Sequence, residues 1–163
     1  MHHRLTPKQT LDFSTILGTL ITRYTPFMRS AVEIEISSDK AKLDTDFIYQ
    51  YLAKPSYWAK GRSLEITIES IKNSFCIAAY QNQVQIAFAR VVTDYCTHAY
   101  IMDFFTTDQL RNSGIGSRLL TSLLAAPELK HVNRFTLSTI EASRFYEKVG
   151  FFKITKNTLA WER

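Results

Sequence analysis

The chain has 163 residues, a length that suits one domain and buries a sizeable core without metals or disulfides. Hydrophobic residues make up 45% and charged residues 21%, which excludes a largely disordered chain. The net charge of +5 attracts anionic ligands, but there is no Lys/Arg run and no nucleic-acid motif, so charge alone does not make nucleic acid a partner.

Near the N-terminus, Phe13, Ile16, Leu17, Leu20, Ile21 and Tyr24 recur at helical spacing and form one apolar face. Thr10 or Asp12 suits its start, and Pro26 its end. That face needs a cover: the protein's own main domain, a second copy in a homodimer, or a membrane surface. The same stretch is interrupted by Ser14, Thr15, Gly18 and Thr19, and no small-residue cleavage site follows, so it is not read as a secretory signal. No apolar run reaches the ~18 residues of a membrane span. His2 and His3 are too few for a metal tract, and Cys76 and Cys96 match no metal or redox spacing. The expectation is a metal-free, cytoplasmic protein with reduced thiols.

The main domain opens with a short alternating strand over 32–36. Helices follow over 44–52, closed by Pro55, and over 64–72, capped by Ser63. Strands over 75–80 and 83–92 form a hairpin about a turn at Gln81-Asn82. A third strand, 99–106, leads to a helix over 114–125 that Pro127 ends. A strand over 132–138, a helix over 141–149 and a strand over 151–154 complete the order. Antiparallel strands followed by β-α-β-α-β predict one mixed α/β sheet.

The most specific local feature is Arg111-Asn112-Ser113-Gly114-Ile115-Gly116, between a strand and a helix. The first amides of a helix have no internal acceptor and lie at the positive end of its dipole, so they can bind phosphate oxygens. Gly114 and Gly116 remove side chains where a ligand comes close, and Arg111 and Arg118 bracket the loop. These six residues alone fit a plain strand-to-helix turn equally well. A Rossmann site wants a further glycine at Ser113, and a P-loop needs a Gly-Lys-Ser/Thr that is missing.

A second motif lies beyond the loop: Ala142-Ser143-Arg144-Phe145-Tyr146-Glu147-Lys148-Val149-Gly150-Phe151. It resembles the A-x-x-F-Y-E-K-x-G-F segment of the GNAT superfamily of acyl-CoA-dependent N-acyltransferases. Arg111, Gly114 and Gly116 resemble that superfamily's Arg/Gln-x-x-Gly-x-Gly/Ala signature, and residues 102–106 its fourth strand. Residues 56–63 are similar to a bacterial subgroup of the same superfamily. The resemblance covers 32–151 in outline. It implies an α/β (α+β) fold: a mixed, mostly antiparallel central sheet flanked by helices, with splayed strands 4 and 5. It also implies a division into an N-terminal extension, 1–30, and an acetyltransferase domain, 31–163.

The resemblance further implies acetyl-CoA as the cofactor. Its pantetheine would pair with backbone at Phe104, Phe105 and Thr106 like an added strand. Its pyrophosphate would lie on Arg111, Asn112, Ser113, Gly114, Ile115, Gly116, Ser117 and Arg118, with Thr139, Ala142 and Phe145 alongside. Asn112 stands where glycine is usual in the family, and tolerates left-handed backbone; Ser113 stands where a basic residue is frequent. Tyr146 would be the general acid for the leaving thiolate, and an amide near Phe105 would polarise the carbonyl. For the base, Asp103, His98, Asp94 and a water chain remain open; Asp103 serves equally to hold the strand. Tyr57, Trp58 and Arg62 suit the acceptor pocket, or else Trp58 is core and Arg62 solvated. The expected function is acetyl transfer to a small-molecule or peptide amine. The alternatives are a non-catalytic acyl-CoA-binding module and a protein or tRNA acetyltransferase.

Overall fold

A computed structural model describes residues 33–154 of the chain. The amphipathic face around residues 13–24, and with it the proposed extension, lies outside the described residues. Strands β1 (Ile34–Ser37), β2 (Phe75–Gln81), β3 (Val84–Thr93), β4 (His98–Thr106) and β5 (Arg134–Thr136) form one sheet in the order β1-β2-β3-β4-β5. The first three pairings are antiparallel and β4–β5 is parallel. Helices α1 (Thr45–Ala53) and α2 (Leu64–Lys72) precede β2; α3 (Ile115–Leu124) and α4 (Ser143–Glu147) flank β5 in sequence. This is the mixed, mostly antiparallel arrangement that the sequence predicts.

Local chemistry sets the element ends. Asp44 accepts the Phe47 amide at 2.9 Å at the start of α1, and Ser63 accepts the Ile66 amide at 3.3 Å at the start of α2, each satisfying an amide the helix cannot. The β2–β3 turn is Asn82-Gln83, one residue later than the sequence suggests. Both residues are left-handed (φ 50° and 67°), which matches the twist of a two-residue hairpin.

The sheet has a core on each face. Cys76, Ala78, Tyr80 and Phe88 pack with Ile48, Leu52 and Ile71 of α1 and α2. Phe75, Ile77, Ala79, Ala89 and Val91 pack with Leu119, Leu120 and Leu123 of α3 and with Tyr146 of α4. The period-two alternation along β2 therefore sorts its side chains between two helical layers.

Three predicted elements are shorter or absent. The strand over 132–138 contracts to Arg134–Thr136, because it pairs with β4 only through Ala99 and its two neighbours. The helix over 141–149 contracts to Ser143–Glu147; Gly150 at φ 101° turns the chain, and the Phe151 amide donates back to the Tyr146 carbonyl at 3.3 Å. Residues 151–154 form no strand: the run of β-formers is right for one, but no strand of the described residues lies beside it.

Candidate active site

The loop before α3 has the backbone an anion site requires. Asn112 (φ 62°) and Gly114 (φ 87°) are both left-handed, and Gly114 caps α3 without any side-chain bond. Arg118 is the first helical donor, its amide giving to the Gly114 carbonyl at 3.0 Å, so the amides of Ile115, Gly116 and Ser117 have no intrahelical acceptor. The two glycines differ in purpose. A side chain at Gly114 would meet nothing within 4 Å, so its demand is conformational. A Cβ at Gly116 would sit 3.5 Å from Thr106 Oγ1 and 3.6 Å from the Phe145 ring, so Gly116 brings α3 against the end of β4 and against α4.

The side chains expected to bracket this loop have partners of their own. Arg111 donates to the Tyr51 hydroxyl at 3.1 Å and pairs with Asp108 at 2.9 Å. Tyr51 in turn stacks on Phe105, centroids 3.9 Å apart and planes 7° from parallel. Arg118 donates to the Ile34 carbonyl on β1 at 3.2 Å. The Ser113 hydroxyl donates to the Leu110 carbonyl at 2.5 Å, tightening the turn. At the start of α4, Thr139 Oγ1 accepts the Ala142 amide at 3.0 Å.

Strand β4 has an open edge. It pairs with β5 only at His98, Ala99 and Tyr100; from Ile101 to Thr106 no strand of the described residues lies on that side. Opposite β3 the ladder slips: Met102 pairs with Arg90 and Phe105 with Phe88, so two residues of β4, Asp103 and Phe104, face one of β3. Asp103 is left-handed at φ 49°. The bulge resets the alternation. Ile101 and Phe104 belong to the core under α3 and α4, whereas Phe105 belongs to the core under α1 and α2.

Asp103 is held through one oxygen, while its buried Oδ1 has no partner among the described residues. Its Oδ2 accepts from Arg62 Nη1 at 2.7 Å and Arg90 Nε at 2.8 Å, and the residue is 4% exposed. Burial by itself works to raise the pKa of this carboxyl. The hydrogen bond from Arg62 and the charge of Arg90 outweigh it and hold the group below the usual carboxylate value. A carboxylate stabilised in this way is a weak base, so the geometry suits Asp103 to holding the bulge and not to taking a proton. Asp94 is poorly suited for a related reason: its carboxylate accepts the Thr97 hydroxyl and the amides of Cys96, Thr97 and His98, which lower its pKa strongly. His98 shares a hydrogen bond of 2.9 Å with Thr136 where β4 and β5 are paired, six residues from Phe104, or roughly 20 Å at ~3.3 Å per residue.

Tyr146 stands at the open end. It is 8% exposed and edge-on to Phe104, Phe145 and Phe151, with centroids at 6.0, 4.9 and 5.7 Å. Burial, with a smaller effect of Tyr57, pushes its phenol up to about 12, so it stays protonated through the neutral range. Among the described residues none accepts its hydroxyl hydrogen. Tyr57 reaches the same region: its hydroxyl accepts the Ile140 amide at 3.3 Å, and its ring meets Trp58 edge-on at 5.0 Å. Both rings are largely exposed, at 51% and 41%, so Trp58 is not core. Arg62 is not solvated either, being paired with Asp103.

Tyr51 and Arg90 join this neighbourhood without having been singled out in the sequence. Arg90 had a signal, a lone cation in a mostly apolar strand, which demands a buried partner. Tyr51 had none beyond its place on the apolar face of α1.

Comparison with known proteins fits this geometry. The family model described as the Acetyltransferase (GNAT) family matches residues 45–151. No curated protein matches the sequence. A solved structure from Xanthomonas campestris, described as belonging to the GNAT family of acetyltransferases, is 30% identical with a TM-score of 0.72, over 78% of this chain and 94% of that one. Two others share the fold at lower identity. A GNAT family protein from Streptococcus pneumoniae is 19% identical, TM-score 0.64, over 80% of this chain and 98% of its own. Glucosamine-6-phosphate N-acetyltransferase from Arabidopsis thaliana is 14% identical, TM-score 0.56, over 79% and 98%. With a family model spanning most of the described residues, the chain belongs to the GNAT family of acetyltransferases.

Proposed function

We propose that this protein is an N-acetyltransferase that moves an acetyl group from acetyl-CoA to a primary amine by direct attack. The observation that carries the reading is a juxtaposition. The open edge of β4, the acceptor-free amides of Ile115 to Ser117 and the protonated Tyr146 meet at one end of the sheet, tied together by Gly116 between Thr106 and Phe145. These groups fit an extended chain ending in a pyrophosphate: backbone to pair along the strand, then amides and a helix dipole for the anion.

Acetyl-CoA would supply an activated acyl carbon, on which the acceptor nitrogen forms a C–N bond as the C–S bond breaks. Tyr146 would serve the departing sulfur. A phenol near 12 transfers its proton to a thiolate, ordinarily near 8.5, only uphill. Its part is therefore a hydrogen bond that strengthens as charge collects on sulfur; the sulfur leaves as thiolate and takes its proton from water. With Asp103, Asp94 and His98 otherwise engaged, the proton shed by the amine leaves through water. Asp103 keeps the bulge that turns Phe104 toward Tyr146 and Phe105 away from it.

Two measurements test this. Acetyl-CoA at about 100 times its Kd raises folding stability by ~2.7 kcal/mol, read as a higher melting temperature. A panel of amines then releases CoA thiol, with acetylated amine found by mass spectrometry. A melting shift without thiol release would make the protein an acyl-CoA-binding module. No shift would remove the cofactor, and the function with it.

A further inference from the structure

Two guanidinium groups share one carboxylate beside the candidate acceptor side. Arg90 has a partner at each of its three nitrogens: Nε on Asp103, Nη1 on Ser74 Oγ at 3.0 Å and Nη2 against Met102 Sδ at 3.4 Å. The Arg62 guanidinium gives only Nη1 to Asp103, and no other described residue accepts from that side chain. Its side chain is 16% exposed against 8% for that of Arg90, so Arg62 is the member of the trio that a ligand can reach. The trio carries two positive charges and one negative, a net +1 in a poorly hydrated place. An unbalanced charge there is costly, and a second anion on the unused edge of Arg62 would relieve it. A planar guanidinium with one side taken presents its other N–H groups as a fork suited to a carboxylate or phosphate.

The position fits such a ligand. Arg62 ends the segment between α1 and α2, and Tyr57 of the same segment bonds the Ile140 amide in the β5–α4 connection. The segment therefore runs from the bulge at Asp103 across to the region of Tyr146, lined by the exposed rings of Tyr57 and Trp58.

We infer that Arg62 recognises an anionic group on the acceptor, so that the amine this protein acetylates carries a carboxylate or a phosphate. The inference rests on the acetyl-transfer reading above and narrows its substrate class.

The test compares matched acceptors: α-amino acids against their amides, and phosphoethanolamine against ethanolamine. The wild type is expected to prefer the anion-bearing member of at least one pair, and the pair identifies carboxylate or phosphate. In Arg62→Gln that preference, the ratio of kcat/KM values, falls roughly 10- to 100-fold, the loss expected for a charge-assisted hydrogen bond. Arg62→Lys restores part of it. Both variants keep Asp103 paired with Arg90, and a single cooperative melting transition, even at a lowered temperature, checks that they fold. Equal use of charged and neutral members by the wild type, or a ratio unmoved by Arg62→Gln, overturns the inference while leaving acetyl transfer intact. If no amine is acetylated, acetyl transfer fails as a reading. Calorimetric titration with the same compounds then decides the anion site: binding of an anionic member that Arg62→Gln abolishes supports it, and no such binding overturns it.

Discussion

The two ends of β4 are built for opposite purposes. At its start, His98 to Tyr100 are paired with β5, and two side-chain bonds reinforce the ladder: His98 to Thr136 at 2.9 Å and Tyr100 to Ser138 at 2.7 Å. At its other end no strand of the described residues lies on that side, a left-handed aspartate interrupts its alternation, and the nearby side chains are aromatic rings and ion-paired arginines. Regular pairing stabilises the first end with bonds that any strand can make. The second gives up regular pairing, and what replaces it is specific: a bulge fixed by charge, an open backbone edge and a buried phenol. Regular pairing and a charge-held irregularity are thus divided along a single nine-residue strand.

If that division holds, substitutions should separate along it. The largest effect on stability should come at the bulge. Asp103→Ala leaves Arg62 and Arg90 without a counter-charge and should cost about 3–5 kcal/mol, read from the urea midpoint. A loss under ~1 kcal/mol would mean that the bulge does not depend on the ion trio.

Tyr146→Phe should sharpen the comparison from the side of chemistry. Thiol release should fall roughly 100-fold with little change in melting temperature, since no described residue accepts the hydroxyl hydrogen. Because the phenol acts in its protonated form and titrates at about 12, wild-type turnover should show no alkaline decline due to Tyr146 between pH 7 and 10. A decline near pH 10 that disappears in the phenylalanine variant would contradict that assignment.

The glycines of the loop should differ more modestly. Gly114→Ala forces a side chain onto a backbone at φ 87° and should cost about 1–2 kcal/mol. Gly116→Ala meets only ordinary contacts, at 3.5 and 3.6 Å, and should stay within ~0.5 kcal/mol of wild type. The smallest effect belongs to the zipped end. Tyr100→Phe removes an exposed hydrogen bond, costs about 0.5 kcal/mol and leaves turnover unchanged.

Much of the architecture was legible because it follows local rules. Ser63 and Asp44 announce helix starts, alternation along β2 sorts its side chains between two cores, and left-handed Asn112 and Gly114 occupy the turn where the sequence places tolerant residues. What was not legible depends on contacts between distant segments. Whether Asp103 is a base or a brace turns on Arg62, forty-one positions away, and on Arg90 across the ladder. Tyr51 reads as one more core aromatic until Arg111, sixty positions on, bonds its hydroxyl. Residues 151–154 have the composition of a strand, yet ladder bonds require a neighbour that composition cannot reveal. Arg111 and Arg118 were read from their nearness in sequence to the loop, but each bonds a group on another element.

An open strand edge is also a hazard, since its unused backbone groups offer a template to any extended segment of another chain. The bulge at Asp103 changes that prospect for β4. A left-handed residue in mid-edge breaks the even spacing of donors and acceptors that a long, flat partner strand would need in order to zip along it. A short extended ligand can still pair on one side of the kink, whereas a second copy of the chain gains no continuous register. The irregularity that orients Phe104 toward Tyr146 therefore also denies this edge the continuous register that pairing with a long extended strand would need.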